Sequence, residues 1–285
     1  GRMERLPQTA GITNEFIVSR EQRSGYDHAV RAAGAKLTEV GFNEVVSNAG
    51  VRRTELWEYE AAVSDRTAGI LYVLASNSVP ALEDVVALAR KHSLPVLVDA
   101  AGELPPRANL RAIADRGADL VAFSGGKAIR GPQSTGILCG RRQYISAAAL
   151  QMLDMDDHFE LWEPPVELID RSLLTGHPRH GIGRALKVSK EEIVALLTAL
   201  DLFASGAYDE ELPAQLARLE MIKTRLNDSP LACQIVESDG ERWPILNITV
   251  PDGRSEFAFD LCRKLRKGTP PIYLGHGKLD QGVLV

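Results

Sequence analysis

The chain has few cysteines, and they do not form a pattern that binds metal. The three cysteines are Cys139, Cys233 and Cys262. They lie far apart and lack the spacing of metal ligands, so we expect small apolar side chains in a protein of a reducing compartment. The acidic stretch 154–158 is predicted to be a solvated loop rather than a metal site.

Basic clusters and long apolar runs are also missing. No run of basic residues is longer than a pair such as 52–53 or 141–142, and the net charge is −5. This argues against a nucleic-acid partner, which would need a broad positive surface. No apolar run approaches the length of a transmembrane helix, and no secretory signal opens the chain. We therefore expect a cytoplasmic protein without membrane association.

The composition is that of an ordinary globular protein with a large core. Hydrophobic residues make up 45% and charged residues 25% of the 285 residues. A chain of this length is long enough for one large and one small domain. We find no long repeats and no low-complexity segments.

A strand–helix–strand unit is predicted between residues 94 and 140. Residues 96–98 and 120–123 are apolar runs without polar alternation, as in parallel strands covered on both faces. Residues 109–116 carry apolar side chains at helical spacing between them. Asp99 ends the first strand and Lys127 follows the second. Both side chains are therefore expected at the carboxyl edge of the sheet, where open α/β sheets bind ligands.

A carboxylate and a lysine in this arrangement point to pyridoxal phosphate. This cofactor needs a lysine amine for covalent attachment and a carboxylate that keeps its pyridine nitrogen protonated. Gly125 and Gly126 precede Lys127 and let the backbone bend tightly. The alternative is that Asp99 caps the next turn and Lys127 is an ordinary surface lysine. The ordered pattern of strand-Asp, helix, strand-Ser-Gly-Gly-Lys and Gly-Pro-Gln favours the cofactor.

Five stretches carry a family resemblance. They are 98–101 (Val-Asp-Ala-Ala), 123–127 (Phe-Ser-Gly-Gly-Lys), 131–133 (Gly-Pro-Gln), 181–188 (Gly-Ile-Gly-Arg-Ala-Leu-Lys-Val) and 270–272 (Pro-Pro-Ile). Together they resemble the selenocysteine synthase (seryl-tRNA selenium transferase) family of fold-type I pyridoxal-phosphate enzymes, which includes glucosaminate-phosphate ammonia-lyases. The resemblance implies that Lys127 is the Schiff-base lysine and that Asp99 holds the pyridine nitrogen. It also places Ala101 at the cofactor.

The resemblance implies an α/β fold of the fold-type I class, with a mainly parallel sheet in a large domain and a small C-terminal α/β domain. We expect residues 1–150 to form part of the cofactor-binding domain, 151–207 a connecting segment with a long helix, and 208–285 the small domain. Members of the family place another segment before this point, with a helix N-terminus that binds the cofactor phosphate. We therefore expect the chain to be a piece of a longer enzyme.

Periodicity predicts further elements along the chain. The predicted helices cover 26–37, 52–63, 80–92, 141–153, 210–227 and 255–267, with a long helix that starts after Ser189. The predicted strands cover 14–18, 69–75, 135–139, 234–237, 245–250, 271–274 and 282–285, with a turn at 239–240.

Several other residues are candidates for binding. Ser124 and Gln133 are expected on the phosphate side of the cofactor, with simple turn chemistry as the alternative. The loop 76–78 faces the same cleft and contacts substrate or cofactor, unless it only caps the following helix. A substrate anion is expected to bind to the cluster of Arg179, His180 and Arg184, because a guanidinium holds a carboxylate in bidentate fashion. Lys278 and His276 are alternative anchors for that anion. The alternative for the whole stretch 175–184 is a polar connector between domains.

The predicted function is a reaction at the α and β carbons of an amino acid or amino sugar acid, first of all elimination of ammonia. The same site chemistry serves selenium transfer to seryl-tRNA, another β-replacing transferase, a racemase or an aldolase. A different alternative is a degenerate homologue that acts as a binding or scaffold module. The substrate is expected to be a small molecule, and the family resemblance implies a homodimer or a higher homo-oligomer.

Overall fold

The structure is a computed structural model that describes residues 2–42, 45–46, 50–153, 157–178, 181–236 and 243–285. The chain divides into two compact units, residues 1–201 and residues 202–285. The predicted connecting role of 151–207 stays a prediction. In the described part of the chain, no helix is long and apolar enough to cross a membrane.

A six-stranded sheet organises the first unit. The strands of this unit are β1 (Glu15–Ser19), β2 (Lys36–Val40), β3 (Val45–Val46), β4 (Gly50–Val51), β5 (Thr67–Val73), β6 (Val96–Asp99), β7 (Leu120–Ser124) and β8 (Gly136–Gly140). The order in the sheet is β2-β1-β5-β6-β7-β8, while β3 and β4 form a separate antiparallel pair. Neighbouring strands are parallel from β2 to β7, and β8 runs antiparallel to β7. The predicted mainly parallel sheet is confirmed.

Helices connect and cover the strands. The helices of the chain are α1 (Arg2–Arg5), α2 (His28–Ala32), α3 (Leu56–Ala61), α4 (Leu82–Lys91), α5 (Asn109–Asp115), α6 (Arg142–Met152), α7 (Lys190–Ser205), α8 (Leu212–Leu226) and α9 (Ser255–Arg266). In α4, apolar residues at helical spacing are buried, among them Leu82, Val85 and Ala89. Acidic side chains in its first turn and basic ones in its last turn match the helix dipole.

Side chains alternate across the sheet, and its two faces differ in burial. Ile70, Val98 and Val121 on one face are fully buried. Their strand neighbours Leu97 and Ala122 on the opposite face are only half-buried in the described chain. Asp99 lies on this second, more accessible face, because it follows Leu97 by two residues.

One predicted helix is wrong in length. Residues 26–37 are predicted as a single helix, but α2 ends at Ala32 and β2 begins at Lys36. Gly34 makes the turn between them at φ +92°, and a Cβ there would lie 2.1 Å from the carbonyl oxygen of Pro7. The chain reverses at this glycine because only glycine adopts that conformation at so close a contact.

The second unit packs α8 and α9 with an antiparallel sheet. Its strands are β9 (Ala232–Val236), β10 (Ile245–Thr249) and β11 (Val283–Leu284), in the order β11-β10-β9. Leu246, Ala258 and Leu284 lie at the centre of its core. The predicted turn at 239–240 lies outside the described residues.

The predicted strand at 271–274 is wrong, because this segment is irregular. Proline at positions 270 and 271 removes two backbone donors, so the start of the segment cannot form a strand ladder. The N–H of Ile272 instead donates to the carbonyl oxygen of Leu265 in α9 at 2.9 Å.

Candidate active site

Asp99 is the last residue of β6 and lies in the middle of the sheet. It pairs in register with Val73 of β5 and with Ala122 of β7. Its Oδ1 accepts a hydrogen bond from the N–H of Ala101 at 3.0 Å. This bond orients the carboxylate at the carboxyl edge and uses one of its two oxygens.

A tight turn after β7 presents Lys127. The N–H of Gly131 donates to the carbonyl oxygen of Gly125 at 2.8 Å, and the N–H of Arg130 donates to that of Lys127 at 2.9 Å. A Cβ on Gly125 would lie 2.1 Å from Thr135 Oγ1. The close approach explains why this position needs a residue without a side chain. The turn is therefore fixed by its backbone, and it leaves the Lys127 side chain exposed.

The Lys127 amine reaches the loop that follows Asp99. Its Nζ lies 4.0 Å from the position that a Cβ on Gly102 would take. Among the described residues, this amine has no recorded hydrogen bond or ion pair. The turn after β7 thus brings the Lys127 amine close to the loop that follows Asp99 at the end of β6, as the sequence predicts.

Ser124 and Gln133 lie on either side of this turn. Ser124 ends β7 and is half-buried. The side-chain Nε2 of Gln133 donates to the carbonyl oxygen of Gly126 at 3.1 Å. This bond is the turn chemistry given above as the alternative for Gln133. Its predicted contact with the cofactor phosphate stays a prediction.

Helix α7 packs on the same turn. A Cβ on Gly131 would lie 3.0 Å from Leu196 Cδ1 of α7. The hydroxyl of Ser134 donates to a carboxylate oxygen of Glu192. This hydrogen bond lowers the pKa of Glu192 below its ordinary value, with the backbone N–H of Ser189 as the second cause.

A cavity of about 240 Å³ lies beside Asp99. Residues of three strands form its floor, among them Val73, Leu97 and Ala122. Ser24, Tyr26 and Val30, before and within α2, close its other side, and its lining is mainly apolar.

A second cavity, of about 390 Å³, lies at the carboxyl edge of β1 and β5. Its wall includes Gln22, Arg23 and Arg53 together with Asn77 and Ser78. The sequence patterns indicate the loop 76–78 as a binding candidate, but they do not indicate Gln22 or Arg53. Gln22 lies three residues after the end of β1, and this place near the carboxyl end of a strand is the signal that could have found it.

Among the predicted anion-binding residues, the structure describes Arg184 of the favoured cluster and the alternative anchor Lys278. Arg184 lies in the short 3₁₀ helix Ile182–Leu186 of the first unit and is half-buried. Arg179 and His180 lie outside the described residues. Lys278 precedes the 3₁₀ helix Leu279–Gln281 in the second unit and is exposed. Their role in binding an anion stays a prediction.

The residues at the carboxyl edge fit pyridoxal phosphate. Asp99 uses one carboxylate oxygen for the N–H of Ala101, and the other would accept from a ring N–H. The Lys127 amine lies beside Gly102, where the missing Cβ leaves room. Within the described ranges, no group of three or more His, Cys, Asp or Glu side chains is arranged to hold a metal ion.

Comparison with known proteins gives one family model and several relatives. The family model described as L-seryl-tRNA selenium transferase matches residues 26–155. A 5'-C-glycyluridine monooxygenase-decarboxylase from Streptomyces sp is 30% identical over 295 residues, which cover 99% of this chain and 64% of that protein. A D-glucosaminate-6-phosphate ammonia lyase from Salmonella typhimurium is 29% identical over 293 residues, with 99% and 68% covered. The chain thus spans about two thirds of the length of these relatives.

A solved structure and a third relative agree with these matches. The structure of a D-glucosaminate-6-phosphate ammonia-lyase matches 98% of this chain and 66% of that chain, with a TM-score of 0.69 and 26% identity. An L-seryl-tRNA(Sec) selenium transferase from Nitratidesulfovibrio vulgaris is 35% identical over 154 residues, 46% of this chain and 31% of that protein. With the motifs at Asp99 and Lys127, these matches show that the chain belongs to the selenocysteine synthase (L-seryl-tRNA selenium transferase)-like family of the fold-type I pyridoxal-phosphate class.

Proposed function

We propose that the full-length protein is a pyridoxal-phosphate enzyme that eliminates ammonia from an amino acid or amino sugar acid with a hydroxyl group on Cβ. The products are a keto acid and ammonia. The observation that carries the proposal is the position of the Lys127 amine. It lies beside Gly102, in the loop that follows Asp99 and is hydrogen-bonded to the Asp99 carboxylate through the N–H of Ala101. A scaffold protein would need neither of these groups at the edge of its sheet.

Asp99 and Lys127 would hold the cofactor. The carboxylate of Asp99 would accept a hydrogen bond from the ring nitrogen and keep that nitrogen protonated. Lys127 would be the point of covalent attachment, with Ala101, Ser124 and Gln133 around it. When bound, the cofactor supplies an electron-withdrawing ring that makes the Cα–H bond of the substrate more acidic.

Lys127 would also move the proton. An amine at this position can accept the proton from Cα and return it later in the reaction. The rigid turn from Gly125 to Gly131 keeps the amine in place, because its backbone hydrogen bonds and close contacts leave it little freedom. Arg184 would bind the carboxylate of the substrate, together with Arg179 and His180.

Ammonia elimination is preferred over selenium transfer because of the extent of the matches. The ammonia-lyase relative aligns with 99% of this chain, whereas the selenium transferase of Nitratidesulfovibrio vulgaris aligns with 46%. The net charge of −5 also gives no support to a tRNA substrate. A second candidate is a monooxygenase reaction with decarboxylation, because the Streptomyces relative named 5'-C-glycyluridine monooxygenase-decarboxylase aligns over 99% of the chain at 30% identity.

Product analysis tests the proposal and separates the two candidates. The full-length protein is incubated with D-glucosaminate, or its 6-phosphate, and pyridoxal phosphate. We expect ammonia and a keto acid without oxygen consumption, and neither product from Lys127→Ala. Lys36→Ala, a lysine at the other edge of the sheet, serves as the control with parental activity. Carbon dioxide release that depends on oxygen would favour the second candidate, and unchanged activity of Lys127→Ala would refute both.

We propose further that the enzyme is a homodimer or a higher homo-oligomer in the cytoplasm. Support comes from α7, where Ile193, Val194 and Leu197 are 45%, 63% and 56% exposed. Apolar side chains clustered on one helix at this exposure are typical of a surface that another chain covers. Sedimentation of the active full-length protein as a monomer would contradict this part of the proposal.

A further inference from the structure

The backbone of a single turn sets the position of Lys127. The side chain is exposed, and its amine has no hydrogen bond or ion pair with a described residue. The turn is closed by the N–H of Gly131, which donates to the carbonyl oxygen of Gly125 at 2.8 Å. A group that holds these two glycines in place therefore also holds the point from which the lysine side chain extends.

Leu196 of α7 lies against both ends of this turn. A Cβ on Gly125 would lie 2.8 Å from Leu196 Cδ1, and a Cβ on Gly131 would lie 3.0 Å from the same atom. One methyl group of the helix thus lies beside the backbone of the two residues that close the turn. So close an approach is possible because neither residue has a side chain. Leu196 is half-buried there and limits the movement of the turn.

Glu192 joins the same face of α7 to the segment that follows the turn. It lies four residues before Leu196, so the two side chains are neighbours on the helix surface. One carboxylate oxygen accepts from the hydroxyl of Ser134, and the other accepts from the backbone N–H of Ser189 at 3.0 Å. The N–H of Glu192 donates to the hydroxyl of Ser189 at 3.2 Å, which completes the cap of the helix. The capped end of α7 is therefore tied to the Lys127 turn.

We propose that α7 positions Lys127 for proton transfer, with Leu196 as the main contact and Glu192 as the second. This inference rests on the proposed function and adds two positioning residues that act through the turn. Proton transfer needs the amine within hydrogen-bond distance of the reacting atom, and a misplacement of about 1 Å can cost about a hundredfold in rate. A helix that limits the movement of the turn therefore raises turnover without supplying a reacting group.

Two matched pairs of variants separate this role from the stability of α7. Ser134→Ala removes the hydroxyl that ties Glu192 to the turn, whereas Ser189→Ala removes the hydroxyl that caps the helix. Leu196→Ala removes the contact with the glycines, whereas Leu200→Ala truncates another half-buried leucine one helical turn further along α7. Both variants of a pair lose one interaction of the helix, but only the first loosens the turn. Ser134→Thr keeps the hydroxyl and should behave as the parent does.

Hydrogen exchange of the backbone measures the turn itself, in the full-length protein before cofactor is added. The N–H of Gly131 is protected by its bond to Gly125. We expect the peptide that contains Gly131 to exchange roughly threefold faster or more in Ser134→Ala and Leu196→Ala, because this bond opens more often. The control variants Ser189→Ala and Leu200→Ala should exchange there as the parent does.

Two rates then measure the lysine. The first is the rise of visible absorbance after pyridoxal phosphate is added, which needs no substrate. The second is turnover of D-glucosaminate, or its 6-phosphate, with hydrogen or deuterium on Cα. Both rates should fall by roughly tenfold in Leu196→Ala and about threefold in Ser134→Ala, with KM within about twofold of the parental value. The isotope effect on turnover should rise in both, because proton transfer then limits the rate more strongly. The controls should keep the parental rates.

The inference is overturned by equal exchange at the turn in all variants, by equal loss of rate within each pair, or by a loss confined to KM. Borohydride treatment of the parent gives a separate readout for the proposed function. If no cofactor becomes fixed on Lys127, the proposed function fails and the inference fails with it. A fixed cofactor, together with parental rates in both Ser134→Ala and Leu196→Ala, rejects only the role of α7.

Discussion

Arg130 provides a sharp test of the turn that carries Lys127. This residue has a left-handed backbone conformation with φ +63°, although it carries a side chain. Such a conformation costs an L-residue roughly 1–2 kcal/mol. Replacement by glycine removes this conformational cost. Glycine also loses more conformational entropy on folding, which offsets about 0.5–1 kcal/mol of the gain in stability. We therefore expect Arg130→Gly to be about 0.5–1 kcal/mol more stable than Arg130→Ala.

The alanine variant is the matched control, because both variants lose the same Arg130 side-chain interactions. For a domain of this size, 1 kcal/mol corresponds to about 2–4 °C in the midpoint of thermal unfolding. The glycine variant should therefore melt about 1–4 °C above the alanine variant in a calorimetric scan. Ser93, at φ 55° outside the site, provides a second pair of variants that should differ in the same direction. Equal midpoints for Arg130→Gly and Arg130→Ala would refute the strained conformation.

Three other predictions concern the same site. Asp99→Asn removes the charge that holds the ring nitrogen, so turnover should fall by orders of magnitude while visible absorbance still reports bound cofactor; normal turnover would make Asp99 a simple cap. Arg184→Lys should raise the Michaelis constant by roughly tenfold or more, since each 1.4 kcal/mol is a factor of ten; an unchanged constant together with a loss in Lys278→Ala would place the anchor at Lys278. Because the pKa of Glu192 is lowered, its hydrogen bond with Ser134 stabilises the fold at pH values above the ordinary pKa of a glutamate. This stabilisation is lost as the pH falls through the lowered pKa. Ser134→Ala should therefore be less stable than the parent at pH 7 and equal to it in acid, as urea unfolding at several pH values can measure.

The centre of the sheet could be predicted from sequence because local and tertiary signals agree there. The runs at 96–98 and 120–123 are apolar without interruption, and the structure extends each by one residue, to Asp99 and to Ser124. The side chains that carry the proposed chemistry follow strand ends, where the geometry of an α/β sheet leaves few alternatives. Lys127 and Asp99 therefore lie where the sequence predicts.

Other features depend on contacts that the sequence does not encode locally. The end of α2 is set by the approach of Gly34 to Pro7, which is distant in sequence. The strand predicted at 271–274 begins at a proline, and the N–H of Ile272 that follows bonds to α9 instead of to a strand. The cavity at Gln22 and Arg53 combines segments that meet only because β1 and β5 are neighbours in the sheet. Periodicity along the chain cannot reveal that neighbourhood.

The most direct test of the central claim is the covalent attachment of the cofactor to Lys127. The full-length protein, loaded with pyridoxal phosphate, is reduced with borohydride, digested and mapped by mass spectrometry. The account predicts a yellow protein before reduction and one modified peptide afterwards, the peptide that contains Lys127. Label spread over surface lysines such as Lys36 and Lys91, or a Lys127→Ala variant that keeps the same absorbance, would contradict it.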